Sequence, residues 1–582
     1  MVQSLKKIHP VFLIVAGLYL LISLYRLQDI PPPWYDEMVH LNTAGHLASS
    51  GRIWCDFFTA KFNGVLFNGM PLHWILPAVF IRLFGMTLAG VRFFYVLLSA
   101  LTLFGIYSLA KRLFDEKTAL YSIALLASCY IFFHNSRQVM PQVPAALFST
   151  MALLVFYTAR DKKLNLLFIL SGIFTAFAYL SHPTGLGVFF IITALFFYKK
   201  IPSRFYLLYL SGVFLAILPY IVYVAANFQE YMRQMSFILK DFYPRQNVFL
   251  NMLDEVPVRY FGLPPIKTIF IAKTIGHNIS NEYFSSIKWG MTHLDPRFVF
   301  CEMAAKAPLI LSLVYVGFKK FKSEGLKDLF LITLLYVLFM SFHPNKFGPY
   351  IYLVVPYLVI CLSVFLRDFA EKGPVSRNTG IKRAIAALVM AAFLLSNLTL
   401  IYKELVSKKV SSYSRFIGEA SGYIPKGSTV AAPAYFWIGM HKDYNFISAN
   451  QVVYEIEEIL RKEYAGAKLI DLPVNEQDAL VKKVLGRHKI QYLLMTWHYW
   501  EGITEASTLA EGAGNALRRY LFYNAEKEKD YVRSNYYPDM PQAARFEDEV
   551  YEPPAGNSFN NVSEEYQKSL KIYRVKGPFR IF

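Results

Sequence analysis

Two adjacent carboxylates, Asp36 and Glu37, follow Trp34 and Tyr35 directly after the run Pro31-Pro32-Pro33. Acids close to apolar surface are expensive to hold ionised, so they tend to mark function, and either could take the proton of an attacking hydroxyl. The pair also fits a plain structural role, because Glu37 to Ser49 has helical patterning and acids suit a helix's first turn. Polar and cationic residues recur in the breaks between apolar runs: Arg137-Gln138, Ser181-His182 and His343-Pro344-Asn345-Lys346. Each alone would serve as an interfacial turn with its charge in water. Gathered on one face with Asp36 and Glu37, they make a convergent polar site. Two cations there would neutralise a phosphate leaving group while a carboxylate accepts a proton, the parts of an inverting glycosyl transfer from a lipid phosphate.

The elements that must position these groups are membrane spans. Of 582 residues 55% are hydrophobic and only 17% charged, which places the chain in a bilayer rather than in water. Charge-poor runs cover about 10–27, 92–110, 118–134, 139–159, 164–180, 184–198, 205–228, 303–318, 329–342, 347–366 and 384–402, about eleven transmembrane helices. The apolar run Pro71 to Phe84 is short and carries His73 and Arg82. If it lies along the membrane surface, the basic clusters Lys6/Lys7, Lys111/Arg112, Arg160/Lys162/Lys163, Lys199/Lys200/Arg204, Lys319/Lys320/Lys322 and Lys382/Arg383 all fall on one side, as the positive-inside rule requires. The N-terminus is then cytoplasmic, and the polar segments 28–91, about 229–302 and 403–582 are external, on a plasma-membrane protein. Residues 1–402 form the transmembrane domain and 403–582 an external soluble α/β domain, in which apolar stretches at Ser428 to Tyr435 and Ile490 to Thr496 alternate with helix-like ones at Glu455 to Tyr464 and Glu476 to Gly486.

Several classes are disfavoured. The formal charge of +19 comes without a basic helix, zinc-ligand spacing or aromatic-basic motif, so it points to anionic lipid and phosphate rather than to nucleic acid. Cys55, Cys129, Cys301 and Cys361 show no CxxC pattern and are assigned neither metal nor disulfide. Neither a P-loop nor a GxGxxG that opens a helix is present, so an activated sugar presented from the membrane fits better than a nucleotide sugar. A transporter would show internal repeats and polar groups near the midplane. A receptor or envelope-assembly scaffold with an external binding domain would have no reason to place acids and bases in separate turns. Trp497-His498-Tyr499-Trp500-Glu501-Gly502 differs in spacing from the tryptophan-rich motif of oligosaccharyltransferases and reads as a strand end with packed aromatics.

The order of features resembles the large-membrane (GT-C type) glycosyltransferase superfamily, in particular the branch of protein O-mannosyltransferases and of the transferase that adds aminoarabinose to lipid A. The resembling block runs from Trp34 to about Lys163, through Asp36-Glu37, the stretch from His46 to Trp54, Pro71-Leu72-His73-Trp74, Leu83-Phe84-Gly85, Val91-Arg92 and Lys111-Arg112-Leu113-Phe114. A second block is Lys346-Phe347-Gly348-Pro349-Tyr350-Ile351, and Ser181-His182 occupies the place of another turn of that branch. The resemblance implies a polyprenyl-phosphate monosaccharide donor, a lipid, glycan or protein acceptor, surface helices in the first external loop, Asp36 as the catalytic carboxylate and Lys346 near the donor phosphate. Glu37, His73, Arg92, Arg137, His182 and Tyr350 are the further substrate-binding candidates. No cofactor is assigned with certainty; two carboxylates leave room for a divalent metal, although no strong ligand cluster accompanies them. The chain departs from its relatives at Gln142, where many carry an acid, at Asn68-Gly69-Met70-Pro71, where some carry a glutamate, and at His182, commonly a lysine. These departures bear on substrate identity.

Overall fold

The computed structural model describes residues 9–31, 33, 35–59, 64–67, 70–237, 252–253, 296–342, 348–371, 377–406, 413–464, 466–496, 516–517, 519–521, 525–531 and 570–575. Its principal helices are α1 (Pro10–Leu24), α2 (Tyr35–Ser50), α3 (Pro71–Phe84), α4 (Leu88–Leu113), α5 (Glu116–Ser128), α6 (Tyr130–Ser136), α7 (Gln142–Lys162), α8 (Asn165–Ser181), α9 (Gly187–Tyr198), α10 (Ser203–Ala226), α11 (Phe228–Phe237), α12 (Pro296–Lys319), α13 (Glu324–Ser341), α14 (Val355–Glu371), α15 (Arg377–Val406), α16 (Tyr413–Ser421), α17 (Ala449–Glu463) and α18 (Val474–Arg487). The strands are β1 (Thr429–Ala432), β2 (Asn445–Ser448), β3 (Tyr492–Thr496), β4 (Ala525–Tyr531) and β5 (Leu570–Val575).

Two compact units form. One comprises Met1–Leu27, Phe67–Leu76 and Val91–Val406; the other comprises Gln28–Leu66, Pro77–Gly90 and Ser407–Phe582. Most of the first long polar segment, Gln28–Leu66 and Pro77–Gly90, thus groups with the C-terminal residues.

The first unit is helical because its sequence leaves no alternative in hydrocarbon: a helix satisfies every backbone N–H and C=O internally. Among the described residues α4, α7, α10 and α15 are long and apolar enough to cross a membrane, with α5 and α6 a fifth span if counted together. The larger number expected from sequence includes shorter runs such as α1 and α8, which length and composition alone do not establish as spans. The run expected as one span over 118–134 is bent by 61° at Cys129. The break frees the amide of Tyr130, and the side chain of Asn397 on α15 accepts it at 2.8 Å. Helix ends follow local chemistry. Asp115 caps α5 by accepting from Thr118 N at 2.8 Å and is itself paired with Arg367 at 2.7 Å. Helix α7 ends on Lys163 in the left-handed region, with Arg160 and Lys162 in its last turn.

Helix α10 is attached along one narrow seam, since only 11% of its apolar window is buried. On that seam a Cβ at Gly172 of α8 would lie 2.1 Å from the carbonyl oxygen of Tyr209, and one at Gly212 would lie 2.1 Å from that of Ile169. Backbone meets backbone there, as small residues allow between membrane helices. Tyr209 donates its hydroxyl to Thr175 beside it at 3.2 Å.

In the second unit the strand order is β2-β1-β3-β5-β4. Strand β1 is parallel to β2 and β3, whereas β5 is antiparallel to β3 and β4. Helices α17 and α18 place Val452, Val453, Ile456, Leu460, Leu480, Val481, Val484 and Leu485 at helical spacing on their buried faces, against Ala431 of β1 and Leu493 of β3. Each such side chain is worth about 1.5–3 kcal/mol of burial.

Candidate functional site

Asp36 and Glu37 stand in the first turn of α2, where the helix dipole favours carboxylates. Successive helical side chains diverge by about 100 degrees. Glu37 to Ala44 are all buried, His40 among them, whereas Asp36, in the first turn at the helix end, is exposed. Asp36 stays accessible, yet the protein around it removes enough bulk water to push its carboxyl from 3.8 up to about 6. The same loss of water holds His40 down at about 3, so its imidazole is neutral. Among the described residues no hydrogen-bond or ion-pair partner meets Asp36. An accessible carboxylate of raised basicity, with no partner among the described residues to hold its charge, is equipped to accept a proton.

The far end of α2 is fixed by Asp56. Its carboxylate accepts from Asn42 at 3.0 Å and from Trp54 at 3.0 Å, and lies 2.8 Å from His46 Nε2. Its amide donates back to the Asn42 side chain at 2.9 Å. Desolvation alone would raise this carboxyl, but the bonds from His46, Asn42 and Trp54 hold it below the ordinary value.

The cations lie in the helical unit. Arg92 and Arg137 are both fully buried, and the charge of Arg92 bears on Arg137. Arg92 donates to the carbonyl of Leu27 at 2.9 Å and Arg137 to that of Tyr25 at 2.6 Å. Both guanidiniums therefore hold the turn that follows α1. Glu404 near the end of α15 lies 2.7 Å from His134 and 3.9 Å from Arg137. Arg137 also stacks over Phe133, 4.9 Å from the ring centroid. Tyr19 donates to Ser136 at 2.7 Å beside this group.

The other candidates separate. His73 is buried with Nδ1 2.8 Å from the hydroxyl of Tyr95. His182 caps the turn that follows α8, accepting from Thr184 N at 3.2 Å, and its ring lies 5.3 Å from that of Tyr350. Its Nε2 is 3.5 Å from Gln142 Nε2. Gln142 and His182 are thus neighbours. Lys346 and the Trp497 to Trp500 stretch lie outside the described residues. Among the described residues no three His, Cys, Asp or Glu side chains gather as a metal site.

Sequence reading missed Glu404 and His134. Glu404 follows Lys403 just past the apolar run that ends at 402, so it reads as a solvated end, and His134 lies at the end of a run counted as a span.

With this geometry in place, comparison with known proteins gives a class. Residues 70–223 match the family model described as dolichyl-phosphate-mannose-protein mannosyltransferase. An uncharacterized protein of Aquifex aeolicus (strain VF5) is 30% identical over 190 residues, which cover 31% of this chain and 37% of that protein, so the match spans little more than a third of the relative. Among solved structures, the Archaeoglobus fulgidus oligosaccharyltransferase in its apo form superposes with a TM-score of 0.54 at 15% identity, over 89% of this chain and 73% of that one. The apo ArnT of Cupriavidus metallidurans does so with a TM-score of 0.50 at 12% identity, over 86% and 94%. Likenesses at these identities show the fold. The fold is that of the large-membrane, GT-C type glycosyltransferases, mannosyltransferase-like in residues 70–223.

Proposed function

We propose that the chain moves a monosaccharide from a polyprenyl-phosphate donor to a hydroxyl or similar acceptor on a lipid, glycan or protein at the outer face of the plasma membrane, with inversion at the anomeric carbon. The observation that carries this reading is Asp36: an accessible carboxylate pushed up to about 6, without a partner among the described residues, on the first helix of the long polar segment. Asp36 accepts the acceptor's proton as that oxygen attacks the anomeric carbon from the side opposite the phosphate. The anomeric C–O bond breaks, and the electron pair leaves on the polyprenyl phosphate. Lys346 and Arg137 serve the negative charge that grows on that phosphate. The family matched by residues 70–223 is described by a dolichyl-phosphate sugar, which supports a donor of this class. Glu37 is buried, and the neighbouring position on the helix leaves the hydroxyl to Asp36.

The test is transfer by purified protein from a radiolabelled polyprenyl-phosphate sugar. Asp36→Asn should lower transfer by about a hundredfold to ten-thousandfold while donor binding persists. Near wild-type transfer by the Asn variant, or a product that retains the donor's anomeric configuration, would falsify the mechanism.

A further inference from the structure

The segment that carries Asp36 is tied at both ends to the C-terminal residues of its own unit. At its start Asp29 accepts from Tyr413 N at 2.8 Å, Gln28 meets the hydroxyl of Ser414, and Tyr413 donates its own hydroxyl to Tyr435 O at 2.6 Å. At its far end Phe57, fully buried, sits edge-on to Trp437 with centroids 6.0 Å apart and lies 6.3 Å from Phe446. Phe58 beside it stacks on Tyr454 at 6.0 Å. Helix α2 packs between these ties. Gly45 on α2 leaves only hydrogen-sized room beside Met86, with Trp437 next to it.

These contacts join into one mechanical path. Phe57 is seated by Trp437, five residues past the end of β1, and by Phe446 of β2. Its neighbour Asp56 grips Asn42 and His46 on α2. From Asn42 to Asp36 is six residues of helix, roughly 9 Å of rigid rod.

We infer that the C-terminal residues are a positioning device for transfer, with Phe57 the plug and Trp437 and Phe446 the socket that together set where the Asp36 carboxylate stands. The inference rests on Asp36 being the base. A misplacement of about 1 Å can cost on the order of a hundredfold in rate, so a loosened plug should show in turnover before it shows in donor affinity. It should also admit water to Asp36 and lower the pH at which that carboxyl titrates.

The experiment uses full-length protein in detergent with a labelled polyprenyl-phosphate sugar. Phe57→Ala and Trp437→Ala should each lower kcat at saturating donor by about tenfold to a hundredfold, leave the donor KM within about twofold, and move the acid limb of the kcat profile to lower pH. The double variant should be no slower than the slower single, since both break one contact. Phe57→Leu and Trp437→Phe, which keep most of the apolar volume, should recover most of the rate and serve where an Ala variant fails to fold. Wild-type kcat and an unmoved acid limb in folded Phe57→Ala overturn the inference. So does a rate loss in Phe57→Leu equal to that of the Ala variant. Asp36→Asn assayed in parallel separates the two ideas: an active Asn variant removes the base assignment, whereas an inactive one beside a normal Phe57→Ala removes only the positioning role.

Discussion

Arg137 donates to the backbone carbonyl of Tyr25 at 2.6 Å, so a buried guanidinium holds the turn after the helix that precedes the Asp36 segment. It also lies 3.9 Å from Glu404. The residue thus carries two jobs, a structural tie and the phosphate contact proposed for it.

Removing it should separate those jobs. Arg137→Ala leaves Glu404 and the Tyr25 carbonyl without its charge, and breaking a buried pair in this way costs about 3–5 kcal/mol. A clear fall in the thermal midpoint is expected. Arg137→Lys keeps the charge but loses the planar fork, so it should fold and show a raised donor KM. Equal midpoints for wild type and the Ala variant would show that the tie to α1 contributes nothing.

Asp36 gives a pH prediction with a definite sign. Its carboxyl is pushed up to about 6, and a base works only when ionised. Transfer should fall as pH drops through about 6, by about tenfold per unit below it. Stability runs the other way. A carboxyl whose folded-state value exceeds its unfolded one binds more protons when folded, so stability drains as pH rises from about 4 to about 6. Asp36→Asn should therefore melt no lower than wild type at pH 7 while being inactive. A melting temperature below wild type at neutral pH would mean that the Asp36 charge is stabilised, contrary to its environment.

Lys346 is assigned to the donor phosphate by its turn position and by family resemblance. Lys346→Ala should raise the donor KM or slow transfer with the fold intact, because a charge-assisted contact to a phosphate is lost. Titration with donor from limiting to saturating concentration checks this; unchanged kinetics at both ends would take Lys346 out of the site.

The topology is testable without activity. Single cysteines introduced at Lys426 and at Gly276 should react with a membrane-impermeant reagent in intact cells, because the basic clusters place both segments outside. Reaction at 426 only after permeabilisation would invert the arrangement, and with it the surface placement of Pro71 to Phe84.

Helices were legible wherever hydrophobicity alone decides them. The run 205–228 became α10 and the run 384–402 became the middle of α15, because a chain that apolar has one way to satisfy its backbone in hydrocarbon. The start of α2 was legible from Pro31 to Pro33 and the two acids behind them. The bend at Cys129 was not, since its stabilising partner, Asn397, is 267 residues away and looks like a sequon in an apolar run. Glu404 was hidden for a similar reason: an acid beside a lysine at a span end is ordinary, and only the fold brings His134 and Arg137 to it. The seat of Phe57 joins residues 380 positions apart, 57 with 437, and a phenylalanine after an aspartate carries no local mark of such a role.

The glycine seam between α8 and α10 sets a lopsided tolerance to mutation. Outward residues of α10 such as Leu207, Phe214, Leu215 and Val222 face away from the protein, so one apolar type can replace another there at little cost. At Gly172 and Gly212 even a methyl group would run into a backbone carbonyl that has no rotamer by which to yield. A helix whose outward surface is permissive is thus fastened at two positions, one on α8 and one on α10, that admit no side chain. A library randomised at the outward positions of α10 should return functional members of almost any apolar spelling, with Phe205, Tyr209 and Gly212 kept.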